Sequence, residues 1–324
     1  MGRSQYLGFL LWTMVLCAQR PPNELFPLTP LNQEQQVVLD KLSNRSVSTL
    51  SEAETFTLAN IYLQDRRYTE ALFFYNKLCE RNPNRFAYQF GRGASAGFLL
   101  SGTPSFRSLR YVAQLRSSFE AAVRLQPNSL VVRRALFNIY LGLPRLLGGS
   151  QTKAEQQLKA LQSINPLEGA LAGAIYAMTK NDISAFTQQA QMAYNDSKHQ
   201  FAVNDSRYEL AMITSYFFGN SERSIQLLSD FLDNASPADQ YPPVFARFRL
   251  AELTTNNPQL LNLIKEEVAE LDTFLETYDP LSAYIRNIKP NECGYTLLRL
   301  VGGLCTIWPL HYTEKEIKLR EVMM

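Results

Sequence analysis

Apolar residues along most of this chain recur at the three- and four-residue spacing of amphipathic helices, and no segment of the sequence alternates as a strand would. The pattern is clearest between residues 51 and 83. Ser51, followed three residues later by Glu54, has the spacing of a capping box, which predicts a helix start. A polar turn at residues 64–67 precedes a second helix, which ends at Pro83. This segment therefore predicts a pair of helices joined by a short turn.

Residue size also follows a pattern in this pair, because small and aromatic residues alternate on the apolar face of the second helix. Ala71 is a small residue on the apolar face of the second helix, between the aromatic residues Tyr68 and Tyr75. Small residues let two helices cross closely, and aromatic rings fill the gaps to neighbouring helices. We therefore expect Ala71 and Tyr75 to be nearly buried. Cys79 follows on the same face, where a buried thiol is expected.

These residues resemble the tetratricopeptide repeat, a unit of about 34 residues. When Ala71 takes the small position of the repeat's second helix, the remaining pattern positions fall on Leu58, Ala59, Tyr62, Tyr68, Tyr75 and Pro83. The match covers size as well as polarity. The resemblance implies an all-α fold, a tetratricopeptide-type α-solenoid in which helix pairs stack into a right-handed superhelix.

Further pairs follow with insertions. The second pair ends at Pro127 and contains a predicted loop at residues 100–108, and the third pair ends at Pro166 after an enlarged turn at residues 144–149. Later pairs match less well, over residues 167–193, 208–232 and 241–278. We therefore predict three clear repeats and two or three degenerate ones within residues 51–278.

The beginning of the chain predicts export. Arg3 precedes an apolar run at residues 6–16, and Ala18 offers a small residue at which a signal peptide could be cleaved. We expect residues 1–18 to be that signal, and residues 19–50 to form a leader with a first short helix. The alternatives are a short helix of the fold, a membrane anchor, or acylation at Cys17 as in bacterial lipoproteins. The apolar run is shorter than a bilayer span requires.

The end of the chain does not fit the repeat pattern. Residues 279–324 form a tail, expected to be partly helical, with an apolar stretch at residues 295–310. This stretch either folds back on the last repeat or meets a partner. Cys293 and Cys305 lie in the same region, and whether they pair is left open by their spacing.

Composition narrows the function classes. The formal net charge is +2 and no cluster of lysine and arginine stands out, so we do not expect a nucleic-acid partner. The two histidines lie outside any metal-binding motif, and phosphate-loop, dinucleotide and nucleophile-elbow motifs are missing from the sequence. We expect no cofactor, no bound metal and no enzyme activity. An enzyme with an unrecognised site is the least favoured alternative.

The resemblance also implies where a partner binds. In tetratricopeptide proteins the concave wall is formed by the first helix of each repeat. Carried over by position, this wall includes the residues Phe56, Asn60, Leu63, Phe90, Arg134, Asn138 and Leu141, together with Ala53, Ala87, Ala94, Gly97 and Val131. Its mixture of apolar and amide groups suits an extended peptide or a helix. Several of these residues could instead pack against the next helix.

The sequence therefore predicts a non-catalytic adaptor or scaffold, periplasmic or secreted, that binds a protein or peptide of unknown identity. The leading alternative is an envelope lipoprotein, anchored at Cys17, that acts in an outer-membrane assembly or uptake complex. A membrane-spanning helix is not expected in either case.

The mature N-terminus separates these two functions. If residues 1–18 are a cleaved signal, the mass of the protein purified from its host should match a chain that begins at Gln19. A chain that begins at Cys17 with the added mass of acyl groups would instead support the lipoprotein. Intact-protein mass spectrometry makes the measurement.

Overall fold

A computed structural model describes residues 30–102, 109–196, 200–236, 239–254 and 279–288. Secondary structure within these ranges is helical and contains no strand. The first helices are α1 Gln33–Ser43, α2 Glu52–Gln64, α3 Tyr68–Arg81, α4 Phe86–Gly102, α5 Leu109–Leu125 and α6 Leu130–Gly142. The later ones are α7 Gln151–Ile164, α8 Pro166–Thr179, α9 Ile183–Asn195, α10 Asp205–Met212, α11 Ser221–Asp233, α12 Pro243–Thr254 and α13 Pro280–Ile288. The expected all-helical fold is confirmed for these ranges.

The chain divides into two compact units. The N-terminal unit comprises Pro27–Gln157, and the C-terminal unit begins at Leu158, within α7. In the N-terminal unit each helix from α1 to α5 packs against the next one along the chain, and α2 also contacts α4. Packing of successive helices in this way is consistent with an α-solenoid.

Capping boxes define the first two helix starts. The Asn32 side chain accepts a hydrogen bond from the backbone N–H of Gln35, and the Gln35 side chain accepts one from the Asn32 N–H. Ser51 and Glu54 make the same exchange at the start of α2, as the sequence predicts. The Ser51 N–H, together with Arg45, lowers the pKa of Glu54 to about 2.

The turn between α2 and α3 brings the first pair together. Arg66 lies two residues after the end of α2 and has a left-handed φ of 57°, and α3 begins two residues later. Ala71 is 0% exposed and Tyr75 is 1% exposed, which confirms their expected burial. Cys79 is also buried, at 6% exposure.

Two glycines allow the next pair to approach closely. A Cβ placed on Gly91 would lie 2.1 Å from the Tyr75 ring, and one on Gly93 would lie 2.8 Å from the Phe119 ring. Helix α4 therefore lies against aromatic rings of α3 and α5 at distances that only glycine permits. Helix α4 extends to Gly102, so the loop predicted at residues 100–108 begins later than expected, and residues 103–108 lie outside the described ranges.

The enlarged turn of the third pair is a short 3₁₀ helix, Arg145–Leu147, followed by a left-handed glycine. Gly148 has a φ of 96°, a conformation that favours glycine. The Ser150 hydroxyl then accepts a hydrogen bond from the Lys153 N–H at 3.3 Å and caps α7. The sequence indicates both roles, because Gly148-Gly149 is typical of a helix stop and Ser150 is a favoured N-cap residue.

In the C-terminal unit, α8 packs against α9, and α10 packs against α11. Small residues again allow close approach, because a Cβ on Gly169 of α8 would lie 2.4 Å from the backbone Cα of Gln162 in α7. Helix α10 continues into a π-helical segment, Ile213–Phe217, which the sequence did not predict. Helix α13 packs against this segment and against α10. Residues 255–278, which complete the last predicted pair, lie outside the described residues.

Substitution of Ala71 tests the close crossing of α2 and α3. Ala71→Arg should lower the free energy of unfolding by more than about 3 kcal/mol, because the long charged side chain has neither space nor a partner in the core. Chemical denaturation of the full chain followed by circular dichroism measures the change. Ala53→Arg is the matched control, since Ala53 is exposed on α2 and should change stability by less than about 0.5 kcal/mol. Equal stabilities for the two variants would contradict the packing described above.

Candidate functional site

The strongest candidate surface lies on α2 and α4, the first helices of two successive pairs, which contact each other. We call it the first-helix surface and define it by Phe56, Asn60, Leu63 and Phe90. Phe56 is half-buried, and its ring lies 5.2 Å from the Tyr88 ring and 6.3 Å from the Tyr75 ring. These two contacts leave part of the Phe56 ring open to solvent while restricting its orientation.

Asn60 is exposed one turn further along α2. Its Oδ1 accepts a hydrogen bond of 2.5 Å from the Tyr75 hydroxyl. Because Oδ1 is the acceptor, the amide nitrogen of Asn60 must be the group that remains to donate to another molecule. Burial raises the pKa of Tyr75, which therefore stays protonated as the donor. Leu63, half-buried, packs against the same core.

A cluster of three polar side chains, Glu52, Arg85 and Tyr88, lies beside Phe56. The Tyr88 hydroxyl donates to Glu52 Oε1 at 2.7 Å, and Arg85 Nη1 lies 3.2 Å from the same oxygen. The hydrogen bond from Tyr88, followed by the one from Arg85, lowers the pKa of Glu52. Burial, together with this bond, raises the pKa of Tyr88 to about 12. The pair is thus ionised Glu52 and neutral Tyr88 at physiological pH, and it joins α2 to α4.

Phe90 occupies the equivalent position on α4 and is half-buried. Its ring lies 5.8 Å from the Phe86 ring and 5.8 Å from the Phe119 ring. Ala87 is exposed beside it. Phe56 and Phe90 therefore have similar environments. Each ring is partly exposed, and each contacts two other aromatic rings.

Helix α6, the first helix of the third pair, exposes a different set of its predicted residues. Arg134 is only 4% exposed, whereas Val131 is 40% exposed. Asn138 and Leu141 are half-buried. Because its guanidinium lies within the protein, Arg134 does not contribute to the surface that a partner would meet first. The structure thus brings together the predicted residues of α2 and α4 at the surface and places the charged residue of α6 in the interior.

The first-helix surface combines partly exposed aromatic rings, an oriented amide and one ion pair. Its four defining residues, all within the described ranges, include neither histidine nor cysteine. Among the described residues no group of three histidine, cysteine, aspartate or glutamate side chains is placed to hold a metal ion. Within the same ranges, no helix is both long enough and apolar enough to cross a membrane.

Sequence reasoning missed a buried charged network in the C-terminal unit. Arg249 of α12 is 2% exposed, and its guanidinium makes ion pairs of 2.8 Å with Asp279 and with Glu252. The buried hydroxyl of Tyr208 also donates to Asp279, at 2.7 Å. Asp279 immediately precedes α13, so the network fixes that helix to α10 and α12. Arg249 and Tyr208 lie 30 and 71 residues from Asp279 in the sequence, so a periodicity analysis has no means of pairing them with it.

Three carboxylates, Asp205, Glu209 and Asp239, lie close together near the start of α10. Asp205 Oδ1 accepts hydrogen bonds from the backbone N–H groups of Gln240 at 2.7 Å and Tyr241 at 3.1 Å. Burial and the neighbouring charges of Asp239 and Glu209 nevertheless raise the pKa of Asp205 to about 7. This carboxyl group therefore ties the segment before α12 to α10 and changes charge near neutral pH.

Neither of two comparisons with known proteins supplies a relative for this arrangement. No model of a known protein family matches the chain, and no curated protein matches it significantly.

The raised pKa of Asp205 predicts a pH dependence of stability. Between its ordinary pKa of 3.8 and about 7, the folded chain holds a proton that the unfolded chain has released. The contribution of this group is therefore present at low pH and is lost as the pH rises through about 7. Urea unfolding at about pH 5 and about pH 8 should show a larger loss of stability for the wild-type chain than for Asp205→Asn, which stays neutral. The same change in both proteins would show that Asp205 does not titrate in this range.

Proposed function

We propose that the chain is a non-catalytic adaptor that holds a protein or peptide on the first-helix surface of a tetratricopeptide-type solenoid. The observation that carries the proposal is the pair of matching, half-buried phenylalanines, Phe56 and Phe90, on two contacting helices. A solvent-exposed aromatic ring offers a partner a large apolar area with little loss of side-chain entropy. The tetratricopeptide spacing around Ala71 and the packing of successive helices support the repeat architecture.

The surroundings of the two rings favour a polypeptide partner. Asn60 presents an oriented amide nitrogen beside Phe56, as required to donate to a main-chain carbonyl. The small exposed residues Ala53 and Ala87 leave space for a backbone to approach the helices. An extended segment or an amphipathic helix would meet apolar and amide groups alternately along such a surface.

The N-terminal sequence places this adaptor, in our proposal, outside the cytoplasm. Export through the predicted signal at residues 1–18 accounts for Arg3, the apolar run and Ala18 together. Acylation at Cys17 would leave the same binding surface on an envelope lipoprotein, so the two alternatives differ in anchorage and not in the site.

A paired substitution tests the proposed surface. The immobilised full-length mature chain is first used to capture partners from the native host's envelope, and the captured proteins are identified by mass spectrometry. Phe56→Ala combined with Phe90→Ala should then weaken the affinity for an identified partner at least about thirtyfold, because central aromatic anchors are each worth about 2 kcal/mol or more and the two losses are only partly additive. Circular dichroism of the double variant should stay that of a folded helical protein.

Phe73→Ala provides the matched control. Phe73 is 46% exposed on α3, a second helix of the same unit, and its ring contacts Phe74. Its removal deletes a similar exposed ring from a different surface. If Phe73→Ala abolishes capture while the double variant retains it, partners bind to the second helices and the proposed surface is wrong.

A further inference from the structure

The C-terminal unit contains a cavity unrelated to the first-helix surface. It has a volume of about 230 Å³ and lies between α11, the start of α10 and the segment that precedes α10. Its lining residues are Phe201, Arg207, Arg223, Gln226, Leu227 and Asp230. The last four of these lie at helical spacing along one face of α11, while Phe201 and Arg207 form the facing wall.

Aromatic rings hold both arginines of the cavity. The Arg207 guanidinium lies 4.9 Å from the centre of the Phe201 ring, and its Nη1 donates to Asn204 Oδ1 at 3.3 Å. The Arg223 guanidinium lies 4.7 Å from the centre of the Tyr194 ring, and its Nη1 donates to the Tyr194 carbonyl at 2.8 Å. Stacking of this kind restricts a flexible side chain before any ligand arrives, which lowers the entropy cost of binding.

The charges and size of the cavity limit what it can take. Two arginines and one aspartate give the lining a net charge of +1, and the Gln226 amide adds a neutral donor. Leu227, at 4% exposure, and Phe201 supply apolar walls beside these polar groups. Drug-sized ligands occupy roughly 300–1,000 Å³, so this cavity is smaller than a site for a whole small molecule. A ligand smaller than that, such as a side chain of a larger partner, suits this volume.

We propose that this cavity receives a single acidic side chain, aspartate or glutamate, from a bound polypeptide. The planar guanidinium groups pair with the carboxylate, and Phe201 and Leu227 contact the methylene groups that carry it. Asp230 opposes the incoming charge and limits the affinity, which makes the cavity an auxiliary anchor that selects an acidic residue. The proposal rests on the polypeptide partner proposed above, but its test does not, because small probes report binding to the cavity in the absence of that partner.

The test uses the full-length mature chain and small probes. N-acetyl-glutamate α-amide carries the side-chain carboxylate, N-acetyl-glutamine carries only a terminal carboxylate, and N-acetyl-glutamine α-amide carries neither. Inorganic phosphate is the fourth probe. NMR signals of the arginine side-chain N–H groups report binding. We expect the glutamate probe to shift the Arg207 and Arg223 signals saturably, and the glutamine α-amide to leave them unchanged.

Two variants with opposite effects make the result specific. Arg207→Gln should weaken binding of the glutamate probe by about fivefold or more, because it removes a charged hydrogen-bond donor. Asp230→Asn should strengthen binding by about two- to fivefold, because it removes a like charge near the surface. Arg110→Gln is the matched control, since Arg110 is an exposed arginine stacked on Tyr111 at 4.7 Å in the other unit. It should leave the affinity unchanged.

Several outcomes would overturn the proposal. Equal shifts with the glutamine α-amide would show that the carboxylate is not recognised. Binding restricted to the terminal carboxylate or to phosphate would assign the cavity to a different ligand. An unchanged or weaker affinity in Asp230→Asn would show that the ligand does not enter the cavity.

Discussion

Close helix crossing is the constraint on which the N-terminal unit depends. Gly91 and Gly93 let α4 approach the Tyr75 and Phe119 rings to distances that no other residue allows, and the buried Ala71 has the same effect on α3. The fixed Tyr75 ring then holds Asn60 and supports Phe56 at the surface. The candidate binding surface is thus a consequence of core packing, because the side chains beneath it determine which groups face the solvent and how they are oriented.

The C-terminal unit contains buried ion pairs and hydrogen bonds between segments that are distant in the sequence. Its α13 helix is attached through Asp279 to a buried arginine and to Tyr208, and its α10 helix is attached through Asp205 to the backbone before α12. Buried charges of this kind contribute little net stability compared with apolar residues of the same shape, but removing one partner is costly. They specify which segments pair where the helical pattern is weak. The repeat pattern is weakest in this unit, and the polar contacts there add to an apolar core that includes Tyr208, Phe231 and Phe245.

The two proposed contact regions use different chemistry. The first-helix surface offers partly exposed rings and an oriented amide, which suit an apolar segment of a partner. The cavity on α10 and α11 offers two stacked arginines and suits a single carboxylate. Each region is proposed from the contacts within its own unit.

The sequence by itself determined the helices of the N-terminal unit and their caps. The reason is local: the capping pair Ser51–Glu54, the stop at Gly148 and the spacing around Ala71 each act within a few residues. Tertiary structure alone decided the close contacts of Gly91, the burial of Arg134 and the π-helical segment after α10, because each depends on residues distant in the sequence. The same reason applies to the site. Phe56 and Phe90 were predicted from their repeat positions, whereas the pairing of Arg207 with Arg223 required the folded arrangement of α10 and α11.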